Sequence, residues 1–255
     1  MRIRRKPWAR PELAEWENCI DVPAENRGKW HSVFKNDAPL MIELGCGKGG
    51  FISKLAVAHP EINFIAVDIK SEMLGLAMRN IKREYAAAER EVDNVFIFSQ
   101  EIMLINKVFS AEDMCDRIYI NFCNPWPKTH DHKKRLTHNN QLMQYREFLK
   151  DGGEIRFKTD NDDLFLSSKR YFTECGFELT FVTEDLHNSG FTDNIETEHE
   201  KMFSEQGIPI KFLIAKKLTV SPSKKEVGSR RNRPLFRHFL LSYSRPSPPH
   251  RLQGP

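Results

Sequence analysis

No apolar run in the 255 residues approaches the ~18 that read as a membrane-spanning helix, so no transmembrane segment is expected. The opening MRIRRKPW is basic but no apolar stretch follows it, which argues against a secretory leader. The five cysteines, Cys19, Cys46, Cys115, Cys123 and Cys175, form no C-x-x-C pair. Free thiols in a reducing cytoplasm fit that scatter better than disulfides or a zinc site. Internal repeats are absent, and so is a large charge of one sign. The net charge is +4, yet eight of the 39 Lys and Arg and only one of the 35 acids lie from Thr219 onward. That leaves 31 bases against 34 acids before Thr219, a net of −3. Global basicity is therefore no argument for a nucleic-acid partner, which has to be argued from local patches.

What is present is a strand–helix alternation. Seven apolar segments read as strands: LMIEL, INFIAVDI, NVFIFS, RIYINF, EIRFKTD, FELTFVTED and PIKFLIAKKL. Between them lie helical patterns, among them SEMLGLAMRNIKREYAAAERE, with Ser71 as its capping candidate, and NNQLMQYREFLKDGG, closed by glycines. Strands alternating with helices predict an α/β fold with a doubly wound, mostly parallel seven-stranded sheet. Three regions are expected: a basic segment and lead-in helix over 1–39, the α/β domain over 40–218, and a Ser/Pro/Arg-rich tail over 219–255 whose composition reads as disordered.

The first strand runs into IELGCGKGGF. Gly45, Gly47 and Gly49 allow positive φ and close approach of a ligand to the backbone, and the next helix offers free N–H groups. A dinucleotide loop reads G-x-G-x-x-G, whereas the spacing here is G-x-G-x-G. Glu43, at the strand end, would repel a pyrophosphate but suits a cofactor with ammonium and sulfonium groups, which points to S-adenosylmethionine (SAM). Asp68 ends the second strand, where an acid accepts hydrogen bonds from both hydroxyls of a ribose. Helix capping is the structural alternative for Asp68, and glycine turns also occur without ligands.

The fourth strand ends in NFCNPWPK. Two prolines around a tryptophan forbid both a helix and a continued ladder, so this is a rigid turn at the carboxyl edge of the sheet, where ligands bind. Asn124 is expected near the methyl group to be transferred, with Trp126 shaping the pocket. An Asn-Pro-Pro-aromatic turn belongs to exocyclic-amine methyltransferases, but the order of tryptophan and proline differs here. THDHKKRLTH follows, with Lys128, Lys133, Lys134 and Arg135, and a mobile basic loop beside a site suits a phosphate backbone. The plain reading is a solvated charged face. His130, His132 and His138 lack the acid or thiol partners of a zinc site, so no metal is expected. The N-terminal Arg2, Arg4, Arg5, Lys6 and Arg10 could extend the basic footprint, with Trp8 available to stack on a base. Asp160 ends the fifth strand. Glu200, in TEHEKMF, could accept from N1–H and the 2-amino group of a guanine, although Thr197 with Glu200 also matches a capping box.

Together the segments MRIRRKPWA, GKW, IELGCGKGGFI, NFCNPWPK with KKRLTH, IRFKTDN, DLHNS and NIETEHEKMF resemble the bacterial tRNA (guanine-N7)-methyltransferase family, in its order and spacing over about residues 1 to 218. The resemblance implies a class I, Rossmann-like methyltransferase sheet, SAM as cofactor, and methylation of N7 of guanine 46 in the tRNA variable loop. By matching positions it implies that Glu43, Asp68, Glu101 (near the adenine) and Asn124 are cofactor-proximal, and that Lys128, Asp160 and the Thr197–Glu200 segment contact substrate. Many members read DPWP where this chain has Asn124, and its basic loop is less uniformly basic. The tail has no family counterpart. The implied setting is the cytoplasm, with tRNA as partner and no membrane; monomer and homodimer both stay open.

Asparagine at position 124 is compatible with this chemistry. N7 of guanine has a free lone pair and no hydrogen, so no base has to remove a proton, and in-line orientation contributes on the order of 7–11 kcal/mol. A carboxylate could stabilise the charge developing on the base, where an amide offers only a dipole. The rival readings are a catalytically silent tRNA-binding protein of the same fold, an exocyclic-amine methyltransferase and, more remotely, a dinucleotide oxidoreductase.

Overall fold

The strands join in the order β1-β4-β3-β2-β5-β6-β8-β7, so the chain winds outward in both directions from β2. The computed structural model describes residues 5–220; the expectations for Arg2, Arg4 and the tail beyond 220 lie outside it. The strands are β1 (Cys19–Ile20), β2 (Leu40–Leu44), β3 (Asn63–Asp68), β4 (Val95–Ser99), β5 (Cys115–Asn121), β6 (Leu149–Thr159), β7 (Phe177–Thr183) and β8 (Lys211–Lys217). All neighbours pair in parallel except β8, which runs antiparallel to both β6 and β7. The apolar segments appear where the pattern predicts them, with one strand more than expected. The two-residue β1 lies in the lead-in segment and pairs Cys19 with Ile97 and Ile20 with Phe98, too short a run to show a period.

Helices cover both faces. Helices α1 (Ala9–Ala14), α3 (Gly50–Ala58) and α4 (Ser71–Ala87) pack with Leu13, Phe51, Ile52, Leu74, Met78 and Ile81 against one face. Helices α2 (Trp30–Val33), α5 (Asn139–Phe148) and α6 (Asp162–Glu174) bury Trp30, Leu142, Phe148, Leu164 and Phe172 against the other. Being buried on both sides, β2 shows no polar alternation apart from Glu43. A third apolar cluster, around Leu186, Ile210, Phe212 and Ile214, seats the loop leading to α7 (Glu198–Glu205).

Two local expectations are corrected. Ser71 is the first residue of α4 rather than its cap: Lys70 takes the cap position, and its ammonium has no lone pair with which to cap, while Asp68 just upstream accepts from the Lys70 N–H at 2.9 Å. Glycines do not close α5 either. The helix stops at Phe148 and the chain passes directly into β6, with Gly152 and Gly153 at an irregularity where pairing with β5 jumps from Leu149 to Glu154.

Gly49 shows why the first turn needs glycine. Its φ is +71°, and an added Cβ would meet the Ala77 Cβ at 2.7 Å and Cα at 2.9 Å, where α4 crosses. Gly47 is also left-handed, at +54°, but nothing lies within 4 Å. Gly49→Ala is therefore expected to cost about 3 kcal/mol, backbone strain plus overlap, against about 1 kcal/mol for Gly47→Ala. Urea denaturation of both variants measures the difference, and equal losses would contradict the packing.

Candidate active site

The carboxyl ends of β2, β3 and β5 meet where the strand order reverses, and the glycine loop, Asp68 and the NPWP turn all lie there. A cleft of about 640 Å³ is lined by Gly45, Asp68, Ile69, Glu101, Asn124 and Trp126 among others. A smaller cleft of about 170 Å³, between the glycine loop and α7, is lined by Glu43, Gly47, Phe51, Thr197, Glu198 and His199. Gly45, Met73 and Phe122 line both, so the two are halves of one groove.

Glu43 is the unusual group. It is 2% exposed; one oxygen accepts from Asn121 Nδ2 at 3.1 Å, and the other is buried without a partner. Burial pushes its carboxyl up to about 7; the Asn121 hydrogen bond pulls down, Asp68 adds repulsion, Lys158 relieves some of it, and the Ile52 N–H in the first turn of α3 also favours the charged form, though outside hydrogen-bonding geometry. An orphaned carboxylate oxygen facing a glycine loop fits a ligand that brings a cation, as the sulfonium and ammonium of SAM would. Asp68 is committed to the loop: its oxygens accept from the N–H of Gly47 at 3.0 Å and of Lys70 at 2.9 Å. Burial raises its pKa, and those two N–H groups hold it down. Asp68 caps neither α3 nor α4, since both N–H groups it accepts from lie before the first helical turn, and each oxygen keeps a lone pair. Glu101 is exposed on the cleft rim, just before a 3-10 helix over Ile102–Lys107.

The NPWP turn is strained and braced. Phe122 and Trp126 have φ of +51° and +42°, left-handed values that cost a side-chain-bearing residue about 1–2 kcal/mol each. Asn124 Oδ1 accepts from the Trp126 N–H at 3.0 Å, which makes this side chain part of the turn. Arg135 completes the brace, with Nε donating to the Pro125 carbonyl at 2.7 Å and Nη2 to the Trp126 carbonyl at 3.4 Å. At 1% exposure it cannot reach a tRNA phosphate, so that expectation is corrected. It was read as one more base in a basic run, and only the fold shows it turned inward. Lys134 lies 4.8 Å from the Trp126 ring centre and is paired with Asp131 at 2.7 Å. Lys128 and Lys133 are exposed around the 3-10 helix Thr129–Lys134, where a phosphate backbone could meet them.

Glu200 is also corrected. It is 0% exposed, and its oxygens accept from Lys158 Nζ at 2.9 Å, Asn194 Nδ2 at 2.7 Å and the Thr197 N–H at 3.3 Å, with His187 Nε2 at 2.8 Å. Burial opposes its ionisation, but Lys158 and the hydrogen bonds outweigh it and hold the pKa below the ordinary value. Nothing is left to face a guanine in this conformation. Thr197 caps α7 by accepting from the Glu200 N–H at 3.0 Å, so the capping-box reading is met in full. Asp160, half-exposed just after β6, has no side-chain partner among the described residues and lines neither half of the groove.

At the N-terminus, Arg5, Lys6 and Arg10 line a groove with Ser71 and Glu72. Trp8 is not open for stacking: the Arg79 guanidinium lies 3.5 Å over its ring, and Arg79 is itself held by Glu12 at 3.0 Å. Sequence reasoning missed Asn121, Lys158, His187 and Asn194. Asn121 stands three residues before Asn124 in a quoted motif, but which face of β5 it takes is a register question. Arg135→Ala is expected to cost about 2–3 kcal/mol by orphaning two turn carbonyls, while Lys133→Ala stays within about 0.5 kcal/mol. Thermal or urea unfolding checks both.

Comparison with known proteins agrees with this geometry. Residues 37–213 match a family model described as "Putative methyltransferase". The chain is 57% identical over 219 residues to the tRNA (guanine-N(7)-)-methyltransferase of Clostridium perfringens (strain SM101 / Type A), covering 86% of this chain and 100% of that one. It is 56% identical over 217 residues to the protein of that name from Acetivibrio thermocellus, covering 85% and 100%. Among solved structures, a 16S rRNA methyltransferase, KamB, is similar in fold, with a TM-score of 0.51 at 11% identity over 72% of this chain and 88% of that one. Fold and family imply the use of SAM. With an orphaned carboxylate, a glycine loop and a braced aromatic turn in one groove, the chain belongs to the tRNA (guanine-N(7)-)-methyltransferase family.

Proposed function

We propose that this protein methylates N7 of a guanine in tRNA, guanine 46 of the variable loop, in the cytoplasm, with SAM as methyl donor. The unpartnered oxygen of Glu43, buried beside the glycine loop, is the observation that carries the reading. When bound, SAM supplies an electrophilic methyl group. Glu43 would meet its positive charge, Asp68 the ribose hydroxyls, and Gly45, Gly47 and Glu101 would line the remainder, while Gly49, expected from sequence to line it too, is packed behind the loop against Ala77. Asp160 would accept from the Watson–Crick edge of guanine, and Thr197 would hold α7 against the groove. Trp126 and Asn124, fixed by Arg135, exclude water beside the reacting atom. Lys128, Lys133 and Lys134, with Arg4 and Arg5, would take the phosphate backbone; Arg4 lies outside the described residues. No residue has to remove a proton, since N7 carries none.

The test combines purified protein, labelled SAM and unmodified tRNA, with mapping of the methylated atom. Label at N7 of guanine 46 is expected. Label on an exocyclic amine, or SAM bound without turnover, would overturn the reading. Asn124→Asp keeps the oxygen that accepts from Trp126 and is expected to stay within about tenfold of wild-type kcat, while Asn124→Ala falls further.

Glu43 predicts a pH dependence. Only its ionised form attracts a cation, and its folded pKa is raised to about 7, so SAM affinity rises with pH up to that value and levels off above it. Stability of the ligand-free protein runs the other way. The unfolded state releases this proton at lower pH, so stability falls as pH climbs from the ordinary carboxylate range to about 7. Glu43→Gln should abolish both trends. Calorimetric titration of SAM between pH 5.5 and 8.5, with parallel melts, reads them, and identical profiles for wild type and variant would refute the role.

A further inference from the structure

Asn121 pairs with Lys158 across β5 and β6, which places their side chains on the same face of the sheet. Asn121 donates to Glu43. Lys158 is 5% exposed, and its ammonium donates to Glu200 Oε2 at 2.9 Å, to the Ile195 carbonyl at 3.0 Å and to Asn194 Oδ1. All three of its N–H bonds are thus used, and it also lies 5.7 Å from the ring centre of Phe51, in the first turn of α3. Glu200 is the third residue of α7 and closes the capping box with Thr197, and the two residues before it line the groove. Glu198 pairs with Lys48 of the glycine loop at 2.8 Å, and His199 stacks on Phe122 with ring centres 5.8 Å apart. The capping box therefore sets where those two side chains fall.

Resting on the SAM reading above, we propose that Lys158 is a positioning residue for the methyl transfer, a single buried ammonium that links the cofactor carboxylate Glu43 to the α7 wall of the groove through Glu200. The pair could have been apolar without loss of stability, since replacing a buried ion pair by packed hydrophobic residues is often neutral. An ammonium does what an apolar residue cannot: it favours the charged form of Glu43 from two strands away, across β5. The groups facing Glu43 are Asn121 on β5, Asp68 on β3, Cys46 in the loop and Lys158 on β6; those facing Lys158 are Glu200, Glu43 and Arg156, with His187 beyond Glu200. Lys158 does not touch Glu43; Asn121, its register partner on β5, stands between them and donates to Glu43.

Two variants separate electrostatics from packing. Glu200→Gln removes the acid and keeps the ammonium. Lys158→Met with Glu200→Gln removes both charges, so no buried ion is left alone, and melts check that each variant folds. SAM binding is titrated against pH for wild type and both variants, and kcat and KM for tRNA are measured. The pH midpoint of SAM binding is expected to stay at or below wild type in Glu200→Gln and to rise by about one pH unit in the double variant. The kcat of the double variant is expected to fall about tenfold or more as α7 loses its register. Equal midpoints in all three folded proteins would overturn the inference. Failure of the wild type to bind SAM would overturn the reading of the groove and this inference with it.

Discussion

A carboxylate buried without a full set of partners is the constraint around which this protein is arranged. Glu43 sits on the central strand, where neither face of the sheet is open to water, and one of its oxygens has nothing to accept from. In a chain with no ligand such a group is a cost, and Asn121 offsets only part of it. The strand order makes the cost useful. Winding outward in both directions from β2 opens a crevice at the end of that strand, and Glu43 lines it beside the glycine loop, where a cationic ligand could enter.

The walls of that crevice are held by charged groups buried behind it. Arg135 is buried under the NPWP turn and fixes two backbone carbonyls, which lets Phe122 and Trp126 stay in left-handed conformations that a free loop would abandon. On the other side Glu200 gathers Lys158, Asn194, His187 and the start of α7 into one knot. Both residues read from sequence as contacts for substrate. Each turned out to support side chains that line the groove instead. A rigid frame of this kind suits a reaction in which no proton has to move and orientation of three atoms is the main demand.

Much of this was legible in one dimension. Alternation of apolar runs with helical periods is a local property, and it located seven strands. The unusual residues were legible too, because glycines at every second position, an acid at a strand end, and two prolines around a tryptophan have few structural uses. Ser71 and the paired glycines after α5 misled for an equally local reason. Both match general signals for helix ends, and at both places a neighbouring strand end or an irregular ladder decided the geometry.

Sequence by itself determined which chemistry is available: a glycine loop for close backbone approach, Glu43 and Asp68 at successive strand ends, a stiff aromatic turn, and a resemblance that spans most of the chain. Tertiary structure alone decided which charges are spent inside. The difference is physical. Spacing along a chain fixes which residue types lie near a turn, but burial and pairing depend on strands that are distant in sequence. Lys158 and Glu200 are 42 residues apart, Asn121 and Glu43 are 78 apart, and no local pattern reports that either pair will meet.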